Sequence, residues 1–161
     1  MLAATADFLS LPLTGNAFVD VPQVRATAWV LGRLLGVHPV LVLAVMRGET
    51  DAQTGATLGD VGLAGGPSVG WMQVYYATAK RYGFFSGTAE EYAAMATDLV
   101  KTSWWGIQVL RDAIKQAQGD IAGAFSVYNS GTTHNAQGSY AQSKVAWLRS
   151  VGFPVDQSVG V

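Results

Sequence analysis

Apolar residues recur at helical spacing along much of the chain. The first run, Val24, Ala28, Leu31 and Leu35, predicts an amphipathic helix that stops at Gly36. Pro39 suits a first helical turn, where its missing N–H goes unmissed, and Val40 to Met46 are almost wholly apolar, which predicts a buried helix over 39–49. From Thr54 onward the pattern breaks. Gly55, Gly59, Gly62, Gly65, Gly66, Pro67 and Gly70 predict a loop or a small irregular hairpin, with any strands few and confined to about residues 56–75.

Helical character returns over 74–82. Thr88-Ala89-Glu90-Glu91 then forms a capping-box pattern, which starts a helix at Ala89. Leu99, Ile107, Leu110 and Ile114 predict a long helix over 98–117, stopped near Gly119, and Asp120 is placed to cap another over 121–128. A last helix over 140–151 carries Val145, Trp147 and Leu148 and ends before Gly152 and Pro154, leaving a tail that is expected to fray. No repeat, low-complexity stretch or second domain is evident. The pattern predicts one mainly α domain over 1–161, with a core at about 22–151 and peripheral end segments.

Composition narrows the function classes. Half of the 161 residues are apolar and 13% are charged, enough for a packed core without a metal or disulfide. The net charge of -1 supplies no global field for nucleic acid, which is not expected as a partner. With no cysteine there is no thiolate site and no thiol nucleophile. The amino-terminal stretch lacks a basic region, and Asp7, Thr14 and Asn16 interrupt its apolar runs, so neither a signal peptide nor a membrane helix is expected. His38 and His134 are isolated and lack ligand spacing, and the glycines after Thr54 lack a Gly-Lys-Ser/Thr ending. No metal and no cofactor are expected. His38 is expected to cap or flank a helix.

The chain has three glutamates, and Glu90 and Glu91 already have work at a helix start. Glu49 has none. It ends an apolar helix just before the glycine-rich loop, where a carboxyl is partly desolvated yet reachable, and desolvation favours its protonated form. A carboxylic acid that stays protonated near neutral pH can hand a proton to a departing glycosidic oxygen. The competing reading is a solvated helix-end glutamate paired with Arg47.

Three short segments bear on that choice: Arg47-Gly48-Glu49-Thr50, Gly70-Trp71-Met72-Gln73 and Ser126-Val127-Tyr128-Asn129-Ser130-Gly131. In order and separation they resemble the signatures of soluble lytic transglycosylase and goose-type lysozyme domains, with Thr50, Trp71 and Ser130 as mild departures. Gly106 with Leu110, and Tyr140 ahead of Lys144-Val145, extend the similarity over roughly residues 35–150. The resemblance implies an α+β, lysozyme-like fold, Glu49 as catalytic acid, and Gln73, Tyr128 and Asn129 lining the substrate cleft. Thr50 and Tyr140 join them as candidate substrate contacts. Amide side chains such as Gln73 and Asn129 can both donate to and accept from sugar hydroxyls and N-acetyl groups. Met72 is expected to pack beneath the cleft. Trp71, Tyr75 and Tyr76 offer faces for sugar rings or for the core, and Trp104 with Trp105 for the core.

The implied activity is cleavage of the β-1,4 bond between N-acetylmuramic acid and N-acetylglucosamine of peptidoglycan, leaving 1,6-anhydromuramoyl ends through one residue acting as acid and then base. A hydrolytic muramidase needs a second carboxylate, about 6.5 to 9.5 Å away if the reaction inverts. Asp60, in Leu58-Gly59-Asp60-Val61-Gly62, is the candidate, with a turn-forming role as its alternative. Asp51 is weaker, because two residues along a continuing helix it would point about 200° away. A non-catalytic wall-binding module of a virion is the reading from another class. A wall-degrading domain without an export signal resembles phage-encoded enzymes, delivered in a virion beside other virion proteins or released at lysis, and equally a domain excised from a longer protein.

Overall fold

The computed structural model describes residues 22–49 and 57–161. Helix α1 (Pro22–Leu35) buries Val24, Ala28 and Leu31, and the chain turns at Gly36 into α2 (Pro39–Glu49). His38 starts that turn by accepting the Val40 N–H on Nδ1 at 3.3 Å, the capping role expected of it. Every residue from Pro39 to Met46 is buried, so α2 is the spine of the core and Glu49 stands at its exit. Each of its buried valine, leucine and methionine side chains contributes about 1.5 to 3 kcal/mol by leaving water.

The glycine-rich segment makes a three-stranded antiparallel sheet of two-residue strands, β1 (Leu58–Gly59), β2 (Ser68–Val69) and β3 (Val74–Tyr75), in the order β1-β2-β3. Leu58 pairs with Val69, and Val69 in turn with Val74. Here the structure departs from the sequence expectation. Val74 and Tyr75 do not begin a helix; pairing with β2 holds them extended, and α3 (Tyr76–Arg81) starts only after them.

Helix α4 (Ala89–Ala93) carries the expected capping box. Thr88 Oγ1 accepts the Glu91 N–H at 3.2 Å, and Glu91 Oε2 accepts the Thr88 N–H at 2.8 Å. A 3-10 turn (Ala94–Thr97) leads into α5 (Leu99–Gln116), capped by Asp98, and Asp120 caps α6 (Ile121–Ser130) with a 2.7 Å bond from the Gly123 N–H. Helix α6 runs two residues past the expected Tyr128, to a left-handed Gly131. Helix α7 (Ser139–Ser150) closes the bundle, with α6 packed between α5 and α7, and α7 also against α2. The result is the mainly α, lysozyme-like domain that the sequence implies.

The tail does not fray. Phe153, Val155 and Val159 pack against the core, Phe153 meets His38 edge-on at 4.9 Å, and the Val159 N–H donates to Gly119 O at 3.0 Å. Among the described residues, no helix is long and apolar enough to cross a membrane.

Candidate active site

An open cleft of about 470 Å³ lies where α2 ends. Its walls bring together Glu49, Asp60, Gln73, Tyr128 and Asn129, five residues drawn from four separate stretches of sequence. Leu63, Tyr75 and Val109 supply apolar surface beside them. A second arm of about 340 Å³ shares Thr78, Val109, Tyr128 and Asn129 and continues to Arg81 and Asp112, so the groove is longer than its deepest point.

Glu49 is the most constrained carboxyl of the group. Its side chain is 18% exposed, Oε1 accepts a hydrogen bond from the Tyr140 hydroxyl, and Lys144 Nζ stands 3.7 Å from the same oxygen. Burial pushes the Glu49 carboxyl above its ordinary value of 4.5; Lys144 and Tyr140 pull the other way, and Asp60 adds a smaller upward push. The charge partner is therefore Lys144 of α7 and not Arg47, whose guanidinium lies 5.8 Å from the Trp147 ring centroid. Tyr140 belongs to the site through its bond to Glu49, and its own phenol is held well above the usual range by burial and by the Glu49 charge.

The opposite wall is built by the turn between β2 and β3. Gly70 and Gln73 both take left-handed backbone, φ 77° and 46°. The turn closes on itself, with Gln73 Nε2 donating to Gly70 O at 2.8 Å. The buried Ser68 hydroxyl lies 2.7 Å from both Gln73 Oε1 and Asp60 Oδ2, and with one proton it donates to one of them at a time. Asp60 has φ 55° in a turn closed by Leu63 N–H to Asp60 O, and it also lines the cleft.

Beneath the floor, Met72 is fully buried, its backbone carbonyl accepts the Tyr128 hydroxyl at 2.7 Å, and Gly106 of α5 leaves room for its side chain. Tyr128 positions this turn as well as lining the cleft. Asn129 is exposed on the wall. Trp71 is 5% exposed and belongs to the core, so it offers no face to a sugar; Tyr76 is engaged with Gly87 O at 2.8 Å, and of the three aromatics considered only Tyr75 lines the cleft. Trp105 is buried as expected, and Trp104 packs half-buried against the same core. Thr50 and Asp51 lie outside the described residues. Among the described residues no cluster of three His, Asp or Glu side chains is placed to hold a metal ion.

The sequence reading missed the buried Lys144. It is 3% exposed, its Nζ sits 3.2 Å from the Tyr140 ring centroid, and burial pushes its ammonium down to about 8 against the counteracting pull of Glu49. A lysine depressed on folding sheds its proton first in the folded state, so from pH 8 to 10.5 the unfolded chain holds more protons and stability rises with pH. The slope is at most about 1.4 kcal/mol per pH unit. Above pH 10.0 the buried phenols of Tyr92, Tyr128 and Tyr140, raised by desolvation, act in the opposite sense. Thermal melts are expected to show a midpoint that climbs between those limits, and a Lys144→Met variant should lose the climb.

A desolvated carboxyl on the wall of an open, amide-lined groove, carried by a mainly α frame, places the chain in the class of lysozyme-like, glycan-cleaving domains. Within that class the chain belongs to the Transglycosylase SLT domain family, which it matches over residues 32–148. At family level the substrate is peptidoglycan and the bond broken is glycosidic. No curated protein and no solved structure matches the chain.

Proposed function

We propose that the chain is a lytic transglycosylase that cuts between N-acetylmuramic acid and N-acetylglucosamine, with Glu49 serving as acid and then base. The observation that carries this reading is the Glu49 carboxyl itself, pushed toward its protonated form by burial, bonded by Tyr140 and open to the cleft. As the bond between the muramoyl C1 and the glycosidic oxygen breaks, Glu49 gives its proton to that oxygen, and the substrate's acetamido group supports the positive C1. The muramoyl C6 hydroxyl then attacks C1 and returns its proton to Glu49. The ring closes as the 1,6-anhydro product, and no water is consumed. Gln73 and Asn129 suit sugar hydroxyls and N-acetyl groups, and Tyr128 fixes the wall they share.

A second reading, hydrolysis, is favoured by one observation: Asp60 faces the same cleft as Glu49. Its hydrogen bond with Ser68 holds it in place, as a water-activating carboxylate would need. The two are told apart by their products. Peptidoglycan sacculi are digested with the protein and the released muropeptides weighed by mass spectrometry. Fragments lighter by one water are expected. Ordinary reducing ends would establish a muramidase and make Asp60 its candidate base, and no release beside an active control enzyme would leave a wall-binding role in place of either.

A further inference from the structure

The reaction just described leaves one buried charge unused. Lys144 comes from the last helix, lies almost wholly out of water, and its aliphatic stem and ammonium pass over the backbone of Gly48, where a Cβ would stand 2.3 Å from Nζ and 2.8 Å from Cε. The absence of a side chain at residue 48 is what lets the ammonium reach within 3.7 Å of Glu49 Oε1 while lying over the Tyr140 ring. Cation and phenol thus approach Glu49 together, from one helix and across one glycine. Resting on Glu49 as the acid and base, we propose that Lys144 is a positioning residue whose charge, admitted through the Gly48 notch, sets the proton affinity of Glu49 between its two tasks.

The chemistry requires such a counterweight. A carboxyl that burial alone controls keeps its proton too tightly to donate it well, and a carboxyl that is too acidic cannot take the proton back from the C6 hydroxyl; an affinity near the working pH serves both. The groups facing Glu49 are Lys144 and Tyr140 of α7, Asp60 from the loop between β1 and β2, and Tyr128 of α6. Lys144 opposes the burial of Glu49 more than any other of these, while Asp60 reinforces it. Arg47, on Glu49's own helix, acts on Lys144 by like-charge repulsion. If Lys144 served only to lock α7 onto α2, its removal would lower stability and leave the titration of Glu49 unmoved.

With three glutamates in the chain, the side-chain carboxyl carbons of glutamate-labelled protein give a spectrum simple enough to follow Glu49 apart from Glu90 and Glu91. Lys144→Met is expected to raise the Glu49 midpoint by about one pH unit. Gly48→Ala keeps the lysine but pushes its ammonium aside, and should raise the midpoint by part of that amount. The alkaline limb of the pH–rate profile on sacculi should move upward with it, while Glu90 and Glu91 stay in place. A Glu49 midpoint unchanged in both variants overturns the proposal. If Lys144→Met fails to fold, Gly48→Ala decides alone, since the atoms its Cβ displaces are the far end of the flexible Lys144 side chain and no backbone atom. An unmoved Glu49 in a protein that still cleaves sacculi removes only the role of Lys144; a parent protein that releases nothing removes the functional reading and this inference with it.

Discussion

Glu49→Gln is expected to abolish most glycan cleavage, by about 100- to 10,000-fold, while leaving the fold in place. Glutamine keeps the shape and an oxygen for the Tyr140 hydroxyl, so the hydrogen bond that orients the side chain survives. It has no proton to give at the pH where the leaving oxygen needs one. The same change strips Lys144 of the negative charge that supports its ammonium, so the lysine should titrate below the value of about 8 it has beside Glu49. Rates of muropeptide release, with circular dichroism to verify folding, check the first effect. Retained cleavage in a folded Glu49→Gln variant would disqualify Glu49 as the acid.

The second large effect is expected at Gly70. Its φ of 77° is left-handed, and a Cβ there would lie 2.2 Å from Thr102 Oγ1 and 2.6 Å from Thr102 Cβ. Gly70→Val therefore meets two penalties: about 1 to 2 kcal/mol for a side chain in left-handed backbone, and about 1 to 3 kcal/mol for forcing bulk into a packed site. The damage reaches the cleft as well, because Gly70 O accepts both the backbone N–H and the side-chain amide of Gln73. Denaturant melts should show the lost stability. Cleavage should fall further than the unfolded fraction accounts for, because Gln73 loses its anchor even in molecules that stay folded. A variant as stable and as active as the parent would show that this turn has more freedom than its geometry indicates.

Why Glu49 was legible and Lys144 was not comes down to distance along the chain. Glu49 stood out by local criteria: an apolar helix before it, glycines after it, and two other glutamates already occupied by a capping box. The helices were legible for the same reason, since Gly36, the Thr88 capping box and Asp120 mark their ends within a few residues. Lys144 looks like any surface lysine on an amphipathic helix until Gly48 is laid against it, and nothing local connects the two. Val74 and Tyr75 follow the same logic, since two residues carry no periodicity and only their partners Val69 and Ser68 make them a strand. Trp71 is a third case: its motif leaves both a sugar platform and the core open, and only the packed fold, with Trp71 5% exposed beside the left-handed Gly70, decides for the core. The tail was misjudged because Gly119, where Val159 docks, is distant in sequence.

The bond between Tyr140 and Glu49 joins residues 91 positions apart, and the charge that faces Glu49 comes from the same late helix. Contacts of such separation form after local ones, because the loop they close must first be ordered. A chain leaving the ribosome thus carries Glu49 without its Tyr140 and Lys144 partners until α7 has emerged and docked. Helix α7 completes the reactive group as well as the fold, and Glu49 acquires its chemical surroundings only when that helix docks.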